Sequence, residues 1–390
     1  MKTLQQPSFS ESAHKFLLVF TSAAVLVMLF SSCSTNLPLH YESPQAEQDQ
    51  QRIQYSVIAV IHGDGDYVFH DTRGIKYYAD EVALENIKKA ALRNPRAEVF
   101  IYHQKAKSHI LGLIPLHDGE FFYYRNGGLV AQKSYWCNQE QSRFNSEIGL
   151  YDQFRTEQQH GIVNIFLYFG HEIPENYGVP YDLSHDTRPF TVRDVADGMN
   201  GFLHRTGKFD LVVLSTCFSG TPYTIGMLAP YSRYIIASPE NLHLSYLSIT
   251  PLERLDIGLS DGNVHAYALM FARQAFLRLT NDVQTAVSVA VYDIERVQKY
   301  VETVLGEYER SIITLQGMPI SRDSLVHCDC GDISAFHSPS MYNGIDVLYR
   351  PARFGRFKDK REHSGWECWR LTSKDLNTAG ERMEAKDDSL

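Results

Sequence analysis

The chain has 390 residues, 44 % of them hydrophobic, which is enough for one large domain or two modest ones with a substantial core. Its formal net charge is −9, with acidic residues spread along the chain and no basic stripe to meet phosphates, so a nucleic-acid partner is not expected. The six cysteines, Cys33, Cys137, Cys217, Cys328, Cys330 and Cys368, are too few for a dense disulfide scaffold.

Lys2 and Lys15 precede residues 16–30, FLLVFTSAAVLVMLF, which carry no charge. A positive head followed by an apolar run too short for a confident membrane span reads as an export leader. Ser31, Ser32, Cys33 and Ser34 follow at once. The pattern resembles a bacterial lipoprotein signal, in which the cysteine becomes the lipidated first residue of the mature chain. That resemblance implies a protein exported and lipid-anchored through Cys33 to the bacterial outer membrane or cell surface. Residues 36–52 are polar, Gln-rich and aperiodic, and read as a tether. With Cys33 used for lipid an odd five cysteines remain, so at least one thiol is expected in an oxidising compartment.

The first strand is YSVIAVIHG, residues 55–63, a nearly continuous apolar run of the kind buried on both faces of a parallel sheet. Residues 76–92 have helical spacing that stops at Asn94-Pro95, and 97–104 form a second strand, giving the crossover unit of an α/β fold. The aromatic run around Arg125-Asn126-Gly127-Gly128 predicts a hairpin. Residues 146–160 predict a helix, and 162–169 a buried strand ending in Gly170-His171-Glu172. Thr191, with Asp194 three residues on, is the expected N-cap of the next helix. The strand FDLVVL, 209–214, then delivers the chain into Ser215-Thr216-Cys217-Phe218-Ser219-Gly220. A further strand spans 233–238, helices are expected at 265–279 and 292–315, and a strand lies between them. Residues from about 310 onward are placed poorly by pattern, with the last fifty partly exposed and suited to covering a sheet edge.

In parallel α/β sheets, ligands are held beyond the carboxyl ends of strands, where both His171 and Cys217 lie. The two are 46 positions apart, close to the histidine–cysteine spacing of caspase-type enzymes. An imidazole beside a thiol generates or stabilises the thiolate, backbone N–H groups hold the developing oxyanion, and the imidazole then protonates the leaving amine. Gly170 and Cys217 are the expected N–H donors.

The stretch FDLVVLSTCFSGTPYTIGMLAPYSRYIIASPE, residues 209–240, resembles the clostripain family of cysteine peptidases. In that family a strand runs into an Asp-Ala-Cys motif, a short helix, a tyrosine-rich segment and a strand ending in Ala-Ser-x-Glu. Cys217 falls on the nucleophile and His171, in IVNIFLYFGHEIP, on the strand carrying the base. TAVSVAVYDIERVQKYVETV and CDCGDISAF resemble later segments, so the likeness runs over residues 55–337. It implies an α/β caspase-like three-layer sandwich with a mostly parallel central sheet, and a cysteine endopeptidase acting on peptide or protein through a thioester acyl-enzyme. It also implies activation by a cut between the early strands and the cysteine, for which Lys133, Arg143 and Arg155 are candidates.

Two departures stand out. The family's glycine follows the histidine, whereas Gly170 precedes His171 here. Its acidic residue two before the cysteine, which receives Arg or Lys of the substrate, is matched by Ser215, so a neutral residue before the cleaved bond is expected, with Glu240 the remaining source of negative charge. These departures support an alternative, a catalytically degenerate surface lipoprotein that binds peptide or glycan.

His62-Gly63-Asp64-Gly65 is a competing histidine–glycine pair on the first strand. Some relatives need calcium, for which Asp64 is the candidate ligand, and no other cofactor is expected. His327-Cys328-Asp329-Cys330, with His337 beyond, does not have zinc-knuckle spacing, and exposed loop residues or a partial disulfide with Cys137 or Cys368 are the better readings. The expected organisation is a leader at 1–32, a tether at 33–53, a peptidase domain at 54–340 and an extension of the same domain at 341–390. A monomer is expected.

Overall fold

The computed structural model describes residues 52–371, apart from 65–67, 71–72, 138–142, 157–160, 176–180, 183, 185–187, 205–206, 243–246, 260–261, 318–324 and 356–357. The leader, Cys33 and nearly all of the tether lie outside the described residues. Nine strands make one sheet: β1 (Tyr55–His62), β2 (Ala97–Gln104), β3 (Gly119–Arg125), β4 (Gly128–Tyr135), β5 (Val163–Phe169), β6 (Phe209–Ser215), β7 (Ser232–Ala237), β8 (Val287–Asp293) and, after β9 (Leu325–Asp329), β10 (Ile345–Arg350). β9 is not in this sheet; it pairs antiparallel with β11 (Glu367–Leu371).

The sheet order is β10-β8-β7-β6-β5-β1-β2-β3-β4. The five central strands from β7 to β2 are parallel, and an antiparallel pair is added at each edge. The central strands are apolar throughout because both faces are covered. Ile58 and Val60 of β1 face one core, while Val57, Ala59 and Ile61 face the other. One core lies against α1 (Ala79–Leu92) and, after α2 (Asn145–Phe154), α3 (Val192–Phe202), α4 (Pro222–Leu228) and α5 (Leu255–Gly258), against α6 (Val264–Asp282). The opposite core takes α2, α3, α4 and α7 (Ile294–Gly317). This is the three-layer α/β sandwich expected, with a mostly parallel sheet.

Local sequence explains the boundaries. Asp194 accepts the Thr191 backbone N–H at 2.8 Å and its hydroxyl at 2.9 Å, opening α3 at the expected cap. The β3–β4 hairpin turns through Asn126 (φ 53°) and Gly127 (φ 76°), the pair of positive dihedrals that a two-residue turn requires. Two expectations need correction. Lys76–Tyr78 is a short strand paired with Val68–His70, so the helix begins at Ala79. The helix expected over 146–160 ends at Phe154, and 157–160 lie outside the described residues.

Near the C-terminus, β10 completes one sheet edge, and the β9–β11 ribbon is closed by a disulfide between Cys330 and Cys368. That bond takes Cys330 out of any zinc reading of the His327–Cys330 run, and Cys368 with it. No helix among the described residues is long and apolar enough to cross a membrane.

Candidate active site

The carboxyl ends of β1, β5 and β6 lie side by side. Register pairs Ser215 with Phe169, so Cys217 and His171 each stand two residues beyond the last pair of adjacent parallel strands. Gly170 donates its N–H to the Ser215 carbonyl at 3.4 Å, which extends the ladder by one step. This corrects the oxyanion expectation for Gly170, whose donor is turned into the sheet. The glycine has a packing reason instead, since a Cβ there would lie 3.2 Å from His62 Cβ and 3.3 Å from the Tyr181 hydroxyl.

His171 is one-third exposed, and its Nε2 lies 3.1 Å from Oδ2 of Asp64, a carboxylate whose side chain is fully buried at the end of β1. A buried carboxylate against one ring nitrogen fixes the orientation of the imidazole. Sequence reading noted Asp64 only as a calcium ligand. Among the described residues no group of three His, Cys, Asp or Glu is arranged to hold a metal, and Asp64 is engaged with His171. The order β5-β1, with the β1 turn next to the β5 turn, is the signal that links Asp64 to His171, and it is a tertiary one.

Cys217 is half-buried as a thiol. Its Sγ is 3.3 Å from Oδ1 of Asn241, to which the thiol donates, and accepts from the Leu242 backbone N–H at 3.3 Å. These two contacts fix the position of the sulfur. The turn after Cys217 is held tightly: Phe218 has φ 50°, and the N–H groups of Phe218 and Ser219 donate to the carbonyls of Glu240 (3.4 Å) and Ser238 (2.9 Å). A bulky residue at positive φ persists only where its surroundings over-determine it.

The expected substrate contacts separate. Ser215 is buried, and its hydroxyl accepts the Leu247 N–H at 3.0 Å, so it serves the loop after β7. Glu240 stays at the edge of the cleft: its carboxylate is partly exposed, lies 3.8 Å from Nε2 of His363, and has its pKa raised chiefly by burial.

The β9–β11 ribbon supplies a wall that sequence reading missed. The His327 ring stacks on Phe218 at 3.5 Å and 5°, and lies 3.7 Å from the Trp369 ring. Nε2 of His327 is 3.3 Å from Glu172, and its Nδ1 is 3.5 Å from Glu367. One side chain therefore touches the neighbour of Cys217 and the neighbour of His171 together. Behind Cys217 a narrow cavity is lined by Glu172, Glu175, Thr221, Thr224 and Trp369. Glu175 is pushed up to about 7 by burial, against the hydrogen bonds donated by Thr221, Tyr308 and Thr224.

His62, the competing histidine, is a core residue. Its Nδ1 faces Gln104 at 3.3 Å and Arg188 at 3.4 Å, and its Nε2 is 3.5 Å from Asp182. Burial, reinforced by Arg188, lowers its pKa to about 4, so it is neutral at physiological pH.

Two solved structures share this architecture. One is an inactive zymogen of a C11 protease from Parabacteroides distasonis, at a TM-score of 0.54 and 13 % identity, covering 86 % of this chain and 96 % of that one. The other is a secreted C11 cysteine protease from Bacteroides thetaiotaomicron in complex with an irreversible peptide inhibitor, at a TM-score of 0.51 and 12 % identity, covering 82 % and 90 %. No family model and no curated protein matches the chain. The structural neighbours are thus C11, or clostripain-family, cysteine proteases, and the fold is the caspase-like one.

Proposed function

We propose that the chain is a cysteine endopeptidase in which Cys217 is the nucleophile, His171 the acid–base group and Asp64 its partner. The observation that carries this reading is the strand register, which sets Cys217 and His171 at matching positions beyond two adjacent parallel strands, with Asp64 against Nε2 of the imidazole. In the reaction the Cys217 sulfur bonds to the scissile carbonyl carbon while its proton passes to His171. The oxyanion so formed is held by the Cys217 backbone N–H. The C–N bond then breaks, His171 gives its proton to the departing amine, and a thioester remains. Water, deprotonated by His171, opens the thioester and releases the acid.

The preferred residue before the cut is neutral, because no carboxylate stands at position 215 and burial works against ionisation of Glu240. Activation by cleavage is assigned to Arg143. Of the three candidates, Lys133 lies within β4 and Arg155 is the C-cap of α2, whereas Arg143 is exposed and precedes Phe144, the N-cap of α2. Attachment through a lipid on Cys33, and monomeric action on peptide or protein, complete the proposal.

The test is hydrolysis of a peptide library varied at the residue before the cut, before and after limited proteolysis, with Cys217→Ala as the blank. Turnover that requires Cys217 is expected. Equal signals from the two proteins would overturn the reading and favour a peptide-binding surface protein on the same fold.

A further inference from the structure

Between β2 and β3 the chain leaves the body as a small ribbon that the peptidase reading does not use. His109 and Ile110 pair with Pro115 and Ile114 across a three-residue tip, closed by Leu113 N–H to Ile110 O at 3.1 Å and Leu116 N–H to Ser108 O at 3.0 Å. Every residue from Lys107 to His117 is exposed. The tip is the most apolar part of it: Leu111 is 89 % exposed, Leu113 84 % and Ile114 60 %. Single exposed leucines are ordinary, but a run of large aliphatic residues at the end of a projection marks a contact surface. Leu111 also holds φ at 52°, where a glycine or asparagine would sit more easily.

Charge identifies the partner. The segment 105–117, KAKSHILGLIPLH, has no acidic residue; Lys107, His109 and His117 are exposed around the apolar tip, while Lys105 at its base is paired with Glu120 at 2.8 Å. Trp136, itself half exposed, packs beside His117 at 4.5 Å between ring centroids, which puts an indole at the base of the ribbon. Aliphatic tip, then indole and imidazole, then lysine is the order of polarity met on moving from lipid acyl chains through the interface to anionic headgroups. The cationic charge around the tip suits an anionic lipid surface, and the proposed attachment through Cys33 already holds the chain at a membrane.

We infer that the 108–116 ribbon is a membrane-interface contact that sinks Leu111, Leu113 and Ile114 into a bilayer bearing anionic headgroups. It supplements a lipid on Cys33, since one N-terminal attachment is strengthened by a second apolar and cationic signal.

The test places a reporter at the tip of the full-length chain. Leu113→Trp is mixed with vesicles of phosphatidylethanolamine and phosphatidylglycerol with brominated acyl chains, and wild-type emission is subtracted. Binding of the N-terminal segment to the same vesicles does not affect the result, because only a tryptophan at 113 reports the ribbon. The added emission should shift to the blue and fall by about half, an effect removed by adding Leu111→Asp. Emission equal in brominated and unbrominated vesicles would overturn the inference. So would lipid-free, concentration-dependent dimerisation abolished by Leu111→Asp, which would give the surface to a second copy. Equal quenching in phosphatidylcholine vesicles would overturn the role given to the lysines. Both leucines are exposed, so neither change disturbs the core.

Discussion

His62 and His171 stand at the ends of neighbouring parallel strands, each beside a glycine, and the fold puts them to opposite uses. His62 is sealed between Gln104, Arg188 and Asp182, and burial keeps it neutral, with a pKa of about 4. His171 keeps a third of its surface open, has a buried carboxylate on one nitrogen, and lies on the strand next to the one that carries Cys217. An imidazole acts on protons when one ring nitrogen is oriented by the protein and the other is within reach of a reactant. At the end of β1 both nitrogens are committed to the core, so the adjacent Asp64, and not His62, is the group that strand contributes.

The largest expected effect tests the contrast directly. His171→Ala should lower kcat/KM by about 1,000-fold or more, whereas His62→Gln should leave it within a few-fold per folded molecule, measured by active-site titration with an alkylating peptide. If both substitutions were equally damaging to titrated enzyme, the contrast would fail.

Asp64→Asn comes next. It should lower kcat by roughly 10- to 100-fold, because the imidazole loses the carboxylate that orients it. Asp64→Glu should recover part of the rate. A loss in KM alone, with kcat unchanged, would make Asp64 a structural residue.

Stability against pH separates the two ends in another way. The His62 pKa in the fold lies below its unfolded value of 6.5, so the unfolded chain binds more protons between about pH 4 and 6.5. The stability tied to neutral His62 is complete above pH 6.5 and is lost as pH falls toward 4, on the order of 3 kcal/mol. Urea unfolding of His62→Gln at pH 5 and pH 7.5 should show a flatter dependence than wild type.

Glu175, on the same strand-end loop as His171, works with the opposite sign. Its pKa of about 7 exceeds the unfolded 4.5, so it favours the fold below pH 4.5 and that contribution is lost as pH rises through 7. Glu175→Gln should therefore stabilise the protein at pH 8 by about 1 to 2 kcal/mol, less than the full shift because an amide replaces one acceptor oxygen facing Tyr308 and Thr221. No gain at pH 8 would mean that the donors already compensate the buried charge.

The sheet was legible in the sequence because its central strands are continuous apolar runs, and Cys217 and His171 were legible because each follows such a run. Asp64 was seen as a residue but not in its role, since nothing local relates the end of β1 to the end of β5 until strand order is known. The glycine before His171 looked like a displaced catalytic motif; it has a packing role, since a Cβ there would press on His62 and Tyr181. The wall made by His327 and Trp369 was illegible for a similar reason. Its two strands are about 40 residues apart in sequence, and neither has an apolar run to announce it. Cys368 was one of two partners considered for the cysteines near 330, and the pairing of β9 with β11 decides between them.

The bond from Cys330 to Cys368 closes a loop with a sequence separation of 38, and that loop contains β10, the outermost strand on its side of the sheet. Severing the backbone anywhere inside it leaves one molecule, not two. A protease that nicks the exposed stretch around Phe354 would produce a protein that runs as a single species until a reductant is added, with the edge strand and the His327–Trp369 wall still joined through sulfur. Damage in this quarter of the molecule is thus converted from loss of a fragment into a silent cut, tolerable for as long as the surroundings stay oxidising.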